Sequence, residues 1–385
     1  MGCRSARAEA VLHATVETVT SSMMNRLYDQ VCPPVAGGLV YHYGAPMTAH
    51  AIALGSPLRA ALSFVMNDRS EVETGRRLVQ EYTEYRLCSE QYGSLGDDLE
   101  LVDGVVKRDL MRLADAWLPE LRELEDFGTP SNLPLSRAVL LLLVGTIAGS
   151  WMESNALYIA CASTVEDRLS QWRAYGSCVM GLDASREFEL VTAAPDSTAA
   201  AAIVKPRAAL TTPADGEPYL PSELKIAPSH EIRLTWRPVL YTDTDEVRAS
   251  LAGLADVVGD TFAAACRGEV SVEDALTWTL QWYITTVGLI KDRTFIEESE
   301  ARLVVAGAEE RDALVYLRQG PYGLAPYVQV QPISVTGDVD VDPPLLRTVS
   351  LGPGVSSADE RTLTYLLRDK RVSVRRVAAP AIVDR

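Results

Sequence analysis

The chain has 385 residues, of which 47% are hydrophobic and 23% charged. This composition is typical of a folded globular protein and excludes a chain that is disordered throughout. The 36 basic and 52 acidic side chains give a formal net charge of −16. Such a charge repels phosphate backbones, which disfavours general nucleic-acid binding. At about 100–200 residues per domain, the length fits one large domain or two ordinary ones.

The cysteines and apolar runs bear on metal, compartment and membrane. No two of the six cysteines form a CxxC pair, and the chain has four histidines. We therefore expect no metal site. Because the N-terminus lacks an apolar signal segment, we expect a cytoplasmic protein. The apolar run at 138–147 is too short to cross a bilayer, so it predicts a buried helix rather than a membrane contact.

In chain order, the pattern begins with helices and strands in alternation. Apolar residues spaced by three or four predict an N-terminal helix that packs on the core, within residues 1–36. The helix ends before Pro33-Pro34. Residues 37–385 are interpreted as one α+β domain. Its first elements are a strand at 39–43, a short helix ending at Gly55, a strand at 59–66 and a helix from Glu71.

The rest of the chain contains a helical insertion and a loop-rich insertion. After them the pattern changes to strands and turns. We interpret about 67–155 as a helical layer on the sheet, with an amphipathic helix at 106–121 and an apolar helix at 134–155. We interpret about 192–223 as a loop-rich insertion. Strands at 157–161 and 177–182 flank a short helix at 166–175. A strand at 232–241 and two long helices precede the late strands. The predicted fold is α+β, with a mixed, mainly antiparallel sheet.

His42 is a candidate ligand-holding residue. It lies in the strand Tyr41-His42-Tyr43, whose alternation sends the two tyrosines to one face and His42 to the other. A core histidine bonded to a backbone carbonyl is the alternative interpretation. The remaining histidines do not lie in a comparable pattern.

Glu298 and Glu300 form the second candidate group. Period-two spacing would place both on one face of a strand that continues into Leu303-Val304-Val305. Two carboxylates on one face repel, so one must be partly protonated or paired with a cation. A solvated edge with Arg302 as the partner is the alternative.

A third candidate group runs from Ser163 to Tyr175. Ser163 with Glu166 has the spacing of a capping box at the start of a helix. Trp172 and Tyr175 are three apart and share one helix face. They indicate either core packing or a platform for a flat ring.

These segments together resemble a bacterial family known only as domain of unknown function 2971. The motifs that carry the resemblance, from residue 39 to the C-terminus, are 39–43 with Gly55, 64–68 with Glu71, 158–163, the Gln-Trp-Arg-x-Tyr-Gly segment in 169–176, Val239-x-Tyr241, 291–304, Tyr322-Gly323 with Pro326-Tyr327, and 351–353. The chain departs from the usual pattern at 161–164, where an aromatic and an acidic residue are commoner.

A more distant similarity is to ADP-ribosyltransferases. A first-strand His, a middle Ser or Tyr and a late Glu-x-Glu follow in the order of that fold. The similarity implies that His42 holds the nicotinamide-side ribose of NAD and that Glu300 is catalytic. It leaves Ser163 and Tyr175 as alternatives for the middle residue. Tyr43 and Trp172 are further candidates to line the NAD site, and Glu298 is a candidate to select or activate the acceptor.

The chemistry implied by this similarity fits these residue types. Cleavage of the bond between nicotinamide and ribose builds positive charge on the sugar, as in glycoside cleavage. A fixed carboxylate on the ribose 2′-hydroxyl stabilises that charge. NAD is then a substrate, with a protein or small molecule as acceptor, and His42 and Glu300 are expected to meet across one cleft.

Two other classes of function remain open. The first is a non-catalytic module on the same fold, which senses a ligand or binds a protein. The second is a cation-dependent hydrolase or nuclease effector that uses Glu298, Glu300 and Asp68. The acidic balance counts against nucleic acid as its substrate.

Overall fold

The computed structural model describes residues 26–63, 71–92, 137–154, 156–167, 171–172, 176–192, 234–308, 314–320, 323–334, 343–352 and 354–377. Several predictions fall outside these residues. They concern most of the N-terminal helix, Asp68, the helix at 106–121, Tyr175, and nearly all of the insertion at 192–223.

The described strands form one eleven-stranded sheet and one small two-stranded sheet. The large sheet contains β1 (Leu39–Gly44), β2 (Leu58–Leu62), β3 (Leu157–Ser163), β4 (Cys178–Asp183), β5 (Phe188–Leu190), β6 (Arg237–Pro238), β9 (Glu300–Ala306), β10 (Tyr316–Gly320), β11 (Gly323–Pro332), β12 (Leu346–Leu351) and β13 (Ser373–Arg376). The small sheet pairs β7 (Leu240–Tyr241) with β8 (Ile290–Lys291) in parallel.

The described helices are α1 (26–31), α2 (Pro46–Ala53), α3 (Glu71–Tyr92), α4 (Arg137–Ser154), α5 (Asp245–Cys266), α6 (Val272–Leu289) and α7 (Ser357–Leu367), with a 3₁₀ helix at Arg293–Glu298. Side-chain caps begin both long central helices. Thr244 accepts a hydrogen bond from the Val247 amide at the start of α5, and Ser271 accepts one from Asp274 at the start of α6. Such caps satisfy amides that have no partner inside the helix.

The sheet is organised around β3. Its main path runs β10-β11-β2-β3-β1-β4-β12-β13, while β9 pairs with β3 and β6. Only β12 and β13 are parallel within this sheet. β9 pairs with β3 along its whole length, from Leu157 to Ser163. The other edge of β3 is shared, since β2 pairs near its start and β1 pairs with it at Ser163 alone. β1 and β2 therefore diverge beside the centre of the sheet.

Alternation along β3 and β9 separates two apolar cores. Leu157, Ile159 and Val304 point to the face that α4, α5 and α6 cover, here called the helix face. Tyr158 and Leu303 point to the second face, where they pack with residues of β2, β4 and β12. Period-two alternation is the reason that one strand serves both cores.

The helices on the helix face include α4 and α5, which both contain long apolar stretches and could be mistaken for membrane spans. α5 is long and apolar enough to span a bilayer by length and composition, but 61% of its most apolar window is buried inside the protein. It packs against α4 and α6. The apolar helix α4 is also buried along Leu140, Leu141, Val144 and Ile147, as predicted for this run.

The N-terminal helix is anchored at its described end. The Tyr28 ring stacks on Trp282 with centroids 6.2 Å apart, and the Arg237 guanidinium lies 4.6 Å from the Tyr28 centroid. Arg237 also donates to the Asp29 carboxylate at 2.7 Å and to the Cys32 carbonyl. The described residues 26–32 thus pack on the core.

The α+β class and the mainly antiparallel sheet are confirmed. Some predicted boundaries are wrong. In its described part, 234–241, the strand expected at 232–241 is interrupted and contributes β6 and β7, which belong to different sheets. The helix expected from Glu166 does not begin there, because residues 164–166 form a bend.

Candidate functional site

One row of the sheet brings together residues from three distant parts of the chain. Tyr41 of β1 lies opposite Ser163 of β3, and Ser163 lies opposite Glu300 of β9. Residues directly opposite in antiparallel pairs project to the same face. Ser163 is four positions after Ile159, so this row lies on the helix face of the sheet.

Glu300 is buried at the start of β9 and is engaged by two cations. Its Oε1 accepts from Arg302 Nε at 2.8 Å, and its Oε2 accepts from Arg302 Nη2 at 3.1 Å and from Lys291 Nζ at 2.9 Å. Burial opposes ionisation, but the two cations outweigh it and lower the pKa of Glu300 to about 2. Glu300 is therefore an ionised carboxylate whose two oxygens both accept hydrogen bonds from the protein.

Glu298 reaches the same cation from a different element. It ends the 3₁₀ helix, and Ser299 follows in the left-handed region with φ 45°. The prediction that Glu298 and Glu300 share a strand face is therefore wrong, because β9 begins only at Glu300. Lys291 nevertheless joins them, since its Nζ also lies 2.8 Å from Glu298 Oε2. Of the two expected outcomes, partial protonation or pairing with a cation, the contacts show the second.

Glu298 and Glu300 form an ionic cluster with Lys291 and Arg302. Tyr241 and Gly288 contact this cluster. Lys291 ends β8, and its Nζ lies 4.8 Å from the centroid of the Phe295 ring. Arg302 donates a further hydrogen bond to the Gly288 carbonyl at 2.8 Å. The Tyr241 hydroxyl accepts from the Glu300 amide at 3.0 Å. Sequence reasoning identified Arg302 as a partner but assigned no role to Lys291 or Tyr241, although both lie in the motifs that carry the family resemblance.

Ser163 ties the end of β3 to the turn before β9. Its hydroxyl donates to the Glu298 carbonyl at 2.9 Å, and the Thr164 amide donates to the Ser299 carbonyl at 2.7 Å. The capping box predicted for Ser163 and Glu166 is wrong. The Glu166 carboxylate instead contacts the Ser350 hydroxyl and the Arg375 guanidinium, which joins this loop to β12 and β13.

Aromatic residues adjoin the row through the same loop. The Tyr43 ring meets Trp172 edge-on, with centroids 5.5 Å apart, and its hydroxyl donates to the Glu166 carbonyl. Trp172 Nε1 donates to Asp167 Oδ1 at 3.1 Å. The Trp172 ring also lies against Gly352, where an added Cβ would approach ring carbon Cζ3 to 2.9 Å. Three motifs of the family resemblance therefore converge here.

His42 lies on the second face of the sheet. It is opposite Met180 in the β1–β4 pair, and Met180 belongs to the second apolar core. Its Nδ1 donates to the Cys161 carbonyl at 3.0 Å, beside the point where β1 leaves β3. Burial, with a smaller effect of Arg318, lowers the pKa of His42. The histidine is thus neutral near pH 7, and its hydrogen bond to Cys161 joins β1 to β3.

The register keeps His42 and Glu300 apart. A step of one residue along a strand reverses the face to which a side chain points. His42 is one residue from Tyr41, which shares its row with Ser163 and Glu300. The prediction that His42 and Glu300 meet across one cleft is therefore wrong.

Within the described parts of the chain, no group of three or more His, Cys, Asp or Glu side chains is arranged to hold a metal ion. Comparison of the chain with protein-family models, with curated proteins and with solved structures finds no match. The two resemblances therefore depend on the motifs alone.

Proposed function

We propose that the chain is an ADP-ribosyltransferase-like enzyme that consumes NAD. It cleaves the bond between nicotinamide and ribose and transfers the ADP-ribosyl group to water or to an acceptor. The site lies on the helix face, at the row of Tyr41, Ser163 and Glu300.

The observation that carries this proposal is the register of that row. The distant similarity predicts a first-strand residue, a middle Ser or Tyr and a late Glu that act together. Here the first strand, Ser163 and Glu300 occupy directly opposed positions on β1, β3 and β9. Such an arrangement favours Ser163 over Tyr175 as the middle residue. The first-strand position on this face is Tyr41, and His42 becomes a residue that fixes the strand.

The surroundings of the row suit the reaction. Cleavage builds positive charge on the ribose, and carboxylates at the edge of the row would stabilise that charge where it develops. The adjoining Tyr43 and Trp172 rings are suited to contact a flat aromatic ring such as nicotinamide.

A second candidate is a non-catalytic module that binds a ligand or a protein on the same fold. The observation in its favour is the engagement of Glu300, because Arg302 and Lys291 already donate to both of its oxygens. A carboxylate used in this way contributes to the fold rather than to a reaction.

Incubation of the full chain with NAD separates the two candidates. The enzyme predicts free nicotinamide, measured by chromatography, at a rate proportional to protein concentration. The binding module predicts a rise in melting temperature with NAD and no nicotinamide. If neither nicotinamide nor a shift in melting temperature is found, NAD is not the ligand, and the proposal is wrong.

A further inference from the structure

The two glutamates of the ionic cluster differ in how far their carboxylate oxygens remain available to a ligand. Glu300 accepts three hydrogen bonds from Arg302 and Lys291 and a further one from the Cys161 side chain, and its own side chain is 7% exposed. Glu298 accepts one hydrogen bond from Lys291, on Oε2, and its side chain is 21% exposed. Among the described residues, no hydrogen bond to Glu298 Oε1 is found. Of the pair, Glu298 is therefore the carboxylate with an accessible oxygen.

Lys291 sets the position of that carboxylate. Its ammonium is shared between Glu298 and Glu300 at 2.8 and 2.9 Å, and it also lies over the Phe295 ring. The Lys291 side chain is only 6% exposed. A buried ammonium with partners on three sides has little freedom to move, so the carboxylate that it holds is fixed as well.

The charges of the cluster balance. Glu298 and Glu300 carry two negative charges, and Lys291 and Arg302 carry two positive charges. Arg302 alone could balance Glu300, with which it makes both of its carboxylate contacts. Lys291 is then the cation that offsets the repulsion between the two neighbouring carboxylates, because it contacts both of them.

We infer that Glu298 is the carboxylate that contacts the ribose of bound NAD, and that Lys291 is its positioning residue. This inference rests on the proposed function and reverses the roles that the sequence suggests for Glu298 and Glu300. In hydrolysis, the bond between nicotinamide and C1′ breaks, and its electron pair leaves with nicotinamide. A water oxygen bonds to C1′, and one of the water protons passes to solvent. Glu298 stabilises the cationic ribose between these events.

Steady-state nicotinamide release by the full chain tests the role of Glu298. Glu298→Gln is expected to lower kcat by about a hundredfold or more, while KM changes little, since the charge acts mainly once the ribose is cationic. Glu297→Gln is the matched control, because Glu297 is exposed on the same 3₁₀ helix. It is expected to keep the parent kcat.

The split between kcat and KM tests the role of Lys291. Lys291→Met removes the ammonium that holds Glu298, so kcat is expected to fall toward the value of Glu298→Gln while KM changes little. Lys291→Arg restores a cation and is expected to recover part of the lost kcat. A purely structural lysine would change the amount of folded protein without changing kcat per folded molecule.

The outcomes separate a failure of the proposed function from a failure of the roles given to Glu298 and Lys291. If the parent chain releases no nicotinamide, the proposed function is wrong, and the inference falls with it. If the parent is active and Glu298→Gln keeps the parent kcat, the function stands and the role of Glu298 is wrong. A parent kcat in folded Lys291→Met contradicts the role of Lys291. If Lys291→Met does not fold, Lys291→Arg still decides, because a cation at this position must keep a higher kcat than Glu298→Gln.

Discussion

Glu300 combines burial, full ionisation and contacts to two cations. Removing one partner from such a group leaves the others buried without compensation, which typically destabilises a protein by about 3–5 kcal/mol. Glu300→Gln should therefore reduce the free energy of unfolding by an amount of this order at pH 7, measured by urea denaturation. The exposed control Glu297→Gln should change it by less than about 0.5 kcal/mol.

The same comparison has a defined pH dependence. Glu300 has a folded-state pKa of about 2, against an ordinary value of 4.5. Its stabilisation is complete above the ordinary pKa and is lost as the pH falls toward the folded one. The difference in the free energy of unfolding between the parent and Glu300→Gln should therefore become smaller below pH 4.5. An equal stability of the two proteins at pH 7 would contradict the ionic cluster described here.

His42 should respond to pH in its own range. Its pKa is lowered from 6.5 by burial, so the unfolded chain takes up a proton that the folded chain does not. Stability from this residue is complete above pH 6.5 and is lost as the pH falls toward the folded-state pKa.

The variant His42→Phe should lose this pH-dependent component. At pH 7.5 it should also be less stable than the parent by about 1–3 kcal/mol, because the Cys161 carbonyl loses its donor. Urea denaturation at pH 5 and 7.5 measures both effects. His50→Phe on α2 is the control, and a parent whose response to pH matched that of His42→Phe would refute this role.

At the scale of elements, a close helix contact fixes α3 on α6. Gly75 of α3 faces the backbone of Val287, and a Cβ built at Gly75 would overlap the Val287 carbonyl oxygen. Gly75→Ala should therefore push the helices apart and lower the melting temperature, with a loss of about 1–3 kcal/mol.

Gly149→Ala in α4 is the matched control for this contact. Among the described residues outside this turn of α4, no atom lies within 4 Å of a Cβ built at Gly149. Alanine there should therefore be neutral or stabilise the helix by about 0.5–1 kcal/mol. Thermal unfolding of both variants by circular dichroism checks the pair. A Gly75→Ala protein that melts with or above the parent would show that the contact does not restrict the packing.

Local patterns predicted the elements better than they predicted the connections between them. The helices α3, α5 and α6 follow from apolar periodicity. The end of the 3₁₀ helix at Glu298 does not follow from these patterns. Ser299 adopts a positive φ there, and a serine in the sequence does not predict one. This break moved Glu298 from a strand to a 3₁₀ helix.

At the scale of the whole molecule, strand pairing decided the candidate site. The sequence identified Ser163, Glu298 and Glu300, and these residues lie together. It could not predict which strands are neighbours, and therefore paired His42 with Glu300 instead of Tyr41. Lys291 was missed because its partners lie seven and nine residues away, across a turn that periodicity does not predict.

The location of the ligand site is the central claim, and hydrogen–deuterium exchange of the full chain with and without NAD tests it most directly. At early exchange times, turnover should not obscure protection by bound nucleotide. We predict slower exchange at 41–44, 163–167 and 298–300, the segments that contain the row of Tyr41, Ser163 and Glu300, and unchanged exchange in α5. Protection confined to other segments would contradict the site, and no protection at saturating NAD would contradict NAD binding itself.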